Sequence, residues 1–172
     1  MYGFKLNTYH FRIQKTEYPV EFVGEIQRAG YKIISLKRRN LLRQAISHMY
    51  ALHRDAFHHR ESQGKQAFDR FNVGLDQLQE KLELFETYRE LRDQILDHFP
   101  SLQLYYEDDL LDSTRHQATV DKVSDFLGIL PSRVQTDLRK TTPKELQSFV
   151  ENYDEVKAYL SGTVYAKYLE MG

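Results

Sequence analysis

The sequence contains no cysteine, and this absence excludes disulfide bonds, thiolate metal ligands and a cysteine nucleophile. It is also compatible with a reducing compartment, so we predict a cytoplasmic location. No apolar run approaches the ~20 residues that a membrane-spanning helix needs, and the first residues lack the apolar core of a signal peptide. The composition therefore predicts no membrane partner.

The sequence also lacks a large excess of charge of either sign, because 24 Lys and Arg residues against 25 Asp and Glu residues leave a formal net charge of −1. A chain without a basic excess has no general attraction for nucleic acid, and we expect no nucleic-acid partner. The 172 residues are enough for one domain with a substantial core. We predict a single domain over residues 1–172.

Three segments have the composition of β-strands: Tyr2 to Ile13, Tyr31 to Leu36 and Leu102 to Tyr106. A helix that starts at Pro19 and ends at about Arg28, before Gly30, joins the first two strands as a βαβ unit with a right-handed crossover. The predicted fold class is α/β, with a parallel sheet of at least three strands wrapped by helices.

Two long helices are predicted between the second and third strands. One runs from Leu41 to His59 or Arg60 and the other from Phe68 to His98, so that they form a helical hairpin over about 41–99. Along the second helix, apolar residues recur at spacings of three and four as a heptad-like seam. The seam consists of Phe71, Leu75, Leu78, Leu82, Phe85, Tyr88, Leu91 and Ile95. It predicts packing within the chain, with a cover over a substrate cleft or a dimer contact as alternatives.

The region after the third strand is predicted to be helical. Ser113 or Thr114 caps a helix that Gly128 ends. Thr142, Pro143 and Glu145 have the pattern of a helix start, and that helix reaches about residue 151. Two short helices, at about 153–160 and 163–170, finish the chain.

A candidate anion site lies where the second strand gives way to a helix. The basic run Lys37–Arg39 ends the apolar strand, and Asn40 is a good N-cap for the helix that follows. Asn40, Arg43 and Ser47 share one face of that helix at i, i+3 and i+7. Backbone N–H groups, the helix dipole, an arginine and a hydroxyl would converge there, which favours a phosphate. Most strand–helix turns with basic residues nevertheless bind nothing.

The same stretch resembles the 3′-phosphate-binding motif of the sulfotransferases that use PAPS (3′-phosphoadenosine 5′-phosphosulfate). That motif is a strand, then Arg39-Asn40, then Ser47 eight residues after the arginine. Tyr106-Glu107-Asp108, with the following helix and its FLG ending, is similar to the family's YEDL segment. Residues 151–170 are close to the ending of many bacterial members. The three segments occur in the family's order and cover most of the chain.

The resemblance implies the P-loop nucleotide-kinase-like fold and transfer of a sulfuryl group from PAPS to a hydroxyl or amine of a small-molecule or carbohydrate acceptor. It implies that Arg39 and Ser47 bind the 3′-phosphate of PAPS or of its product PAP, and that Lys140 approaches the donor phosphates. His10 is the candidate general base, because an imidazole titrates near neutral pH. The alternative for His10 is a hydrogen-bonded structural histidine.

One element of the family has no counterpart in this sequence. A loop similar to PRSGTT holds the 5′-phosphosulfate in family members, and Gly3–Leu6 resembles the strand that comes after it. The chain is either the C-terminal part of a longer protein, which we favour, or a sheet completed by a partner chain or a second copy, or a protein that lost catalysis and kept binding. The alternative function is a non-catalytic helical interaction module that uses the seam.

Two further groups of polar residues are assigned no catalytic function. His48, His53 and His58 are spaced by five, with His59 directly after them, which spreads these side chains around a helix, so we predict no metal. The carboxylates of Glu107 and Asp108 are expected to point apart on a strand.

Overall fold

A computed structural model describes residues 2–55, 59–60, 68–136, 138–139 and 142–171, of which 59–60 and 138–139 are described by their backbone alone. The chain divides into two compact units: Met1–Arg39 with Glu86–Val134 (unit 1), and Asn40–Phe85 with Gln135–Gly172 (unit 2). The structure is mixed α/β, as predicted. The assignment of residues 1–172 to one sulfotransferase-like domain stays a prediction.

Helices predominate in the described chain. The regular elements are α1 (Thr8–Ile13), α2 (Pro19–Arg28), β1 (Ile33–Lys37), α3 (Leu41–His53), β2 (His59–Arg60), α4 (Leu75–Leu96), β3 (Ser101–Tyr105), α5 (His116–Leu127), β4 (Leu138–Arg139) and α6 (Tyr153–Ser161). One turn of π-helix follows β3 at Tyr106–Leu110, and single 3₁₀ turns cover Ser113–Arg115, Leu146–Ser148 and Ala166–Tyr168. Among these described helices, none combines the length and the apolarity that a membrane crossing needs.

The parallel sheet of unit 1 consists of β1 and β3. Ile33 lies opposite Ser101 at one end of the ladder, and Lys37 lies opposite Tyr105 at the other. Both strands are predicted from the sequence to within two residues at their ends. Because the strands are parallel, the chain segments that leave their carboxyl ends begin side by side.

The predicted first strand, Tyr2 to Ile13, is wrong. Residues 2–7 have no regular structure, and α1 begins after Asn7. The backbone N–H of Asn7 donates to His10 Nδ1 (3.2 Å), which stabilises the helix start. Phe11 packs into the core of unit 1, so a tertiary contact selects the helix over the strand. The parallel sheet in the described residues therefore has two strands rather than at least three, and the predicted βαβ unit does not form.

A small apolar core holds unit 1 together. Its buried members are Phe11, Val23 and Ile95, and Val20, Ile33, Leu91 and Phe99 pack against them. An ion pair between Lys37 and Asp93 (2.9 Å) ties β1 to α4. At the end of α5, Gly128 adopts a φ of +74°, which a side chain would disfavour, so the predicted glycine cap is confirmed.

Unit 2 contains the larger core. Buried side chains from α3, α4 and the C-terminal region form one cluster: Leu41, Leu42, Ala45, Ile46, Tyr50, Phe71, Val73, Leu78, Leu82, Phe149, Val150, Val156, Leu160 and Tyr168. Phe71 and Val150 pair as a parallel β-bridge, in which the Phe71 N–H donates to the Phe149 carbonyl (2.9 Å). Distant parts of the chain therefore meet through backbone as well as side-chain contacts.

The two long helices are shorter than predicted. α3 ends at His53 rather than at His59 or Arg60, and Asp55, with a φ of +49°, has left the helical conformation. α4 begins at Leu75 rather than at Phe68, because Phe71 is extended in its bridge with Val150. Part of the predicted hairpin, residues 56–58 and 61–67, lies outside the described residues.

The helix predicted over residues 142–151 is also wrong. Only Leu146–Ser148 is helical, as one 3₁₀ turn. The Arg43 guanidinium donates to the Pro143 carbonyl, and Val150 pairs with Phe71, so both ends of the segment are held in other conformations. Of the last two predicted helices, α6 is confirmed, and the second is reduced to the turn Ala166–Tyr168.

Candidate functional site

The candidate site in unit 1 begins with Arg39, two residues after the end of β1. Its backbone N–H points at the carboxylate of Glu107, with 3.2 Å from the nitrogen to each carboxylate oxygen. Glu107 follows β3, so the contact forms because the two parallel strands end together. Arg39 is thereby fixed at the carboxyl edge of the sheet.

The Arg39 guanidinium forms a bidentate pair with Asp108. Nη1 and Nη2 lie 2.6 and 2.5 Å from the two carboxylate oxygens, and about half of each side chain is exposed. The carbon at the centre of the guanidinium lies 4.2 Å from the centroid of the Tyr105 ring. Hydrogen bonds from Arg39 hold the pKa of Asp108 below its ordinary value, and the same pair raises the pKa of Arg39.

A second arginine–tyrosine stack lies beside the first. The Arg38 guanidinium carbon is 3.8 Å from the centroid of the Tyr106 ring. Consecutive arginines after β1 thus lie on consecutive tyrosines at the carboxyl end of β3. Stacking on an aromatic face restricts a guanidinium while leaving its N–H edge available to an anion.

The carboxylates of Glu107 and Asp108 do not point apart, which corrects the expectation from a strand pattern. Both belong to the π-helical turn Tyr106–Leu110 rather than to β3, and both contact Arg39. The Asp109 carboxylate accepts from the Tyr105 N–H (2.6 Å) and so caps the turn. Sequence reasoning missed this arrangement, although an acidic run after one parallel strand and a basic run after its neighbour were a usable signal.

The second group of predicted residues lies at the start of α3 in unit 2. The side chain of Asn40 accepts from the Arg43 N–H (2.8 Å), so the predicted N-cap is confirmed. The Asn40 amide also donates to the Tyr168 carbonyl (3.1 Å). Asn40 is buried, and this second bond joins the helix start to the C-terminal turn.

Ser47 lies about two turns along α3, on the face that carries Arg43. The Ser47 hydroxyl is 3.4 Å from that of Thr142, and Arg43 Nη2 is also 3.4 Å from the Thr142 hydroxyl. The i, i+4 spacing of Arg43 and Ser47 therefore brings a cation and two hydroxyls together within unit 2. The predicted phosphate ligands divide between the units, with Arg39 in unit 1 and Ser47 in unit 2.

Two other predicted site residues are located differently. His10 lies on α1 rather than on a strand, and its Nδ1 accepts from the Asn7 backbone, which is the structural interaction named as its alternative. The role of His10 as a base stays a prediction. Lys140 lies outside the described residues. Within the described part of the chain, no three His, Asp or Glu side chains are grouped so as to hold a metal ion.

Comparisons with models of protein families, with curated proteins and with solved structures found no match to this chain. The relationship to PAPS-dependent sulfotransferases, together with the P-loop nucleotide-kinase-like fold that it implies, therefore stays a prediction. The geometry of Arg39 and of α3 is what bears on function.

His48, one turn beyond Arg43 on α3, makes the stability of unit 2 depend on pH. Burial lowers the pKa of the His48 imidazole from its ordinary value, and the charge of Lys81 lowers it further. As the pH falls below ~6.5, the His48 imidazole takes up a proton in the unfolded chain before it does so in the folded chain. The folded state therefore loses stability over the pH range between ~6.5 and the lowered pKa of His48. We expect the urea concentration at the midpoint of unfolding to be lower at pH 5.5 than at pH 7.5.

The His48→Gln variant should lose part of that decline, as measured by urea titrations at both pH values. His98→Gln is the control, because it removes an exposed imidazole of unit 1. If the urea midpoint of His48→Gln changed with pH as much as that of the original chain, the pH dependence would not come from His48.

Proposed function

We propose that this chain is a sulfotransferase-like protein that holds the 3′-phosphate of PAPS or PAP at Arg39. In this proposal it serves the transfer of a sulfuryl group to a hydroxyl or amine of a small-molecule or carbohydrate acceptor. One observation carries the proposal. β1 ends at Lys37, Arg39 follows with its guanidinium on the surface, and Asn40 caps the helix that carries Ser47. This is the order of elements that the resemblance requires around a 3′-phosphate.

The contacts of Arg39 support an anion as its ligand. Its backbone N–H and both terminal nitrogens are already directed at carboxylate oxygens, those of Glu107 and Asp108. A phosphate offers oxygens at a similar separation with more charge, and a guanidinium binds both groups in the same forked geometry. The Tyr105 ring supports the guanidinium from one face.

In the proposed reaction, the bond between sulfur and the bridging oxygen of the 5′-phosphate breaks, and the acceptor oxygen or nitrogen bonds to sulfur. PAP leaves with the electron pair of the broken bond. The acceptor proton passes to a base, for which His10 is the candidate. Arg39 would bind the 3′-phosphate and so position the donor for in-line transfer.

Calorimetric titration of the full chain with PAP tests the proposal. Arg39→Ala should weaken PAP binding by about ten-fold or more, because it removes a charged, bidentate contact. The matched control is Arg28→Ala, because Arg28 is also an exposed arginine of unit 1 paired with a carboxylate, that of Glu25 (2.8 Å).

If Arg39→Ala and Arg28→Ala weakened PAP binding equally, the weakening would reflect only the loss of one positive charge. That result would count against a site at Arg39. A chain that is folded by circular dichroism and does not bind PAP would remove the proposal altogether. In that case the non-catalytic interaction module would become the better-supported function.

The alternative function, a non-catalytic interaction module, requires the apolar seam of α4 to be available to another chain. Leu78 and Leu82 of the seam are fully buried in unit 2, and Ile95 is buried in unit 1. For the seam to pair with another chain, these side chains would have to leave the cores that they now occupy. The contacts therefore favour the anion-binding proposal.

A further inference from the structure

Asp108 fills the guanidinium fork of Arg39. Its two carboxylate oxygens take one bond from each terminal nitrogen, at 2.6 and 2.5 Å. A ligand phosphate that uses the same fork must displace the Asp108 side chain, because the same two N–H donors cannot serve two anions in a bidentate geometry. Asp108 would therefore compete with the phosphate for the Arg39 guanidinium.

The displacement requires little rearrangement. About half of the Asp108 side chain is exposed, and its π-helical turn contains no buried residue. The Asp108 backbone carbonyl accepts from Arg115 (3.2 Å), so the backbone can stay in place while the side chain rotates into solvent. Arg39 keeps two supports, the Tyr105 ring and the contact of its N–H with Glu107.

We infer that Asp108 masks Arg39, so that the site opens only to an anion that displaces the carboxylate from the guanidinium fork, and a terminal phosphate monoester is the group best able to do so. This inference rests on the proposed function. A phosphate monoester carries close to two charges at neutral pH and three terminal oxygens. A diester carries one charge, as Asp108 does, and a hydroxyl carries none. Only the monoester exceeds the carboxylate in both charge and number of acceptors.

The test compares two nucleotides on the full chain by calorimetry: PAP, which has a 3′-phosphate monoester, and cyclic adenosine 3′,5′-phosphate, in which that phosphate is a diester. Asp108→Asn should bind PAP about two- to five-fold more tightly, which is the strength of an exposed ion pair. The cyclic diester should gain by about the same factor, because every anion that uses the fork must first displace Asp108. Asp93→Asn is the control, because it removes the same charge from unit 1 and breaks a different ion pair, that with Lys37.

The outcomes separate the inference from the proposed function. If PAP binds and Arg39→Ala weakens it, but Asp108→Asn binds PAP no more tightly than the original chain, Asp108 is not a competitor and only the inference is overturned. If neither the original chain nor Asp108→Asn binds PAP, both are overturned. Binding by Asp108→Asn alone would support the masking of Arg39 and overturn the proposed function, which requires the original chain to bind PAP. Asp108→Ala, which removes the acceptor oxygens entirely, repeats the test if the asparagine variant does not fold.

Discussion

Phe149→Ala should lower the free energy of unfolding of unit 2 by about 3–5 kcal/mol, the range measured for large-to-small changes at buried aromatic residues. Phe149 has no exposed surface. Its ring lies 5.0 Å from that of Tyr50 and 6.1 Å from that of Phe71, between centroids. Alanine would leave a cavity between two aromatic rings. Urea titration followed by circular dichroism measures the loss, and hydrogen exchange of α3 amides assigns it to unit 2.

Phe68→Ala is the matched control, because Phe68 belongs to the same unit and 40% of its surface is exposed. Its cost should stay below about 1 kcal/mol, as for most surface substitutions. A Phe149→Ala variant no less stable than the control would show that these rings do not form the core of unit 2.

Leu82→Ala should cost about 2–5 kcal/mol in the same assay. Leu82 lies on α4 with no exposed surface, in the cluster that α4 forms with α3 and the C-terminal region. Alanine has a helix propensity at least as high as that of leucine, so any loss comes from the missing side-chain contacts rather than from the helix. The effect is expected even if α4 keeps its helical content.

Leu52→Ala makes the corresponding change on α3 at a residue that is 54% exposed. It should alter the unfolding free energy by about 1 kcal/mol or less. If the Leu52 and Leu82 variants were equally destabilised, the seam would not be buried within the chain, and the interaction-module reading would gain support.

Half of the candidate site follows from local sequence. The end of β1, the N-cap at Asn40 and the spacing of Arg43 and Ser47 on α3 depend on residues a few positions apart, and the structure confirms each of them. The 3′-phosphate role stays a prediction, because a pattern of side chains does not specify the ligand.

The other half depends on residues far apart in the chain. Asp108 lies 69 residues from Arg39, and its contact requires both the β1–β3 pairing and the π-helical turn after β3. A strand pattern continued through that turn places alternate side chains on opposite faces. This is why the pairing of Glu107 and Asp108 with Arg39 was not predicted.

The sequence by itself determined the α/β class, the two strands of the parallel sheet, the cap of α3 and the glycine that ends α5. These features depend on propensity and capping within single segments. Only the tertiary structure decided that residues 8–13 form a helix, that Phe71 and Val150 pair, and that Asp108 binds Arg39. Each of these depends on contacts between distant segments, and such contacts override a local preference when they bury apolar surface or pair charges.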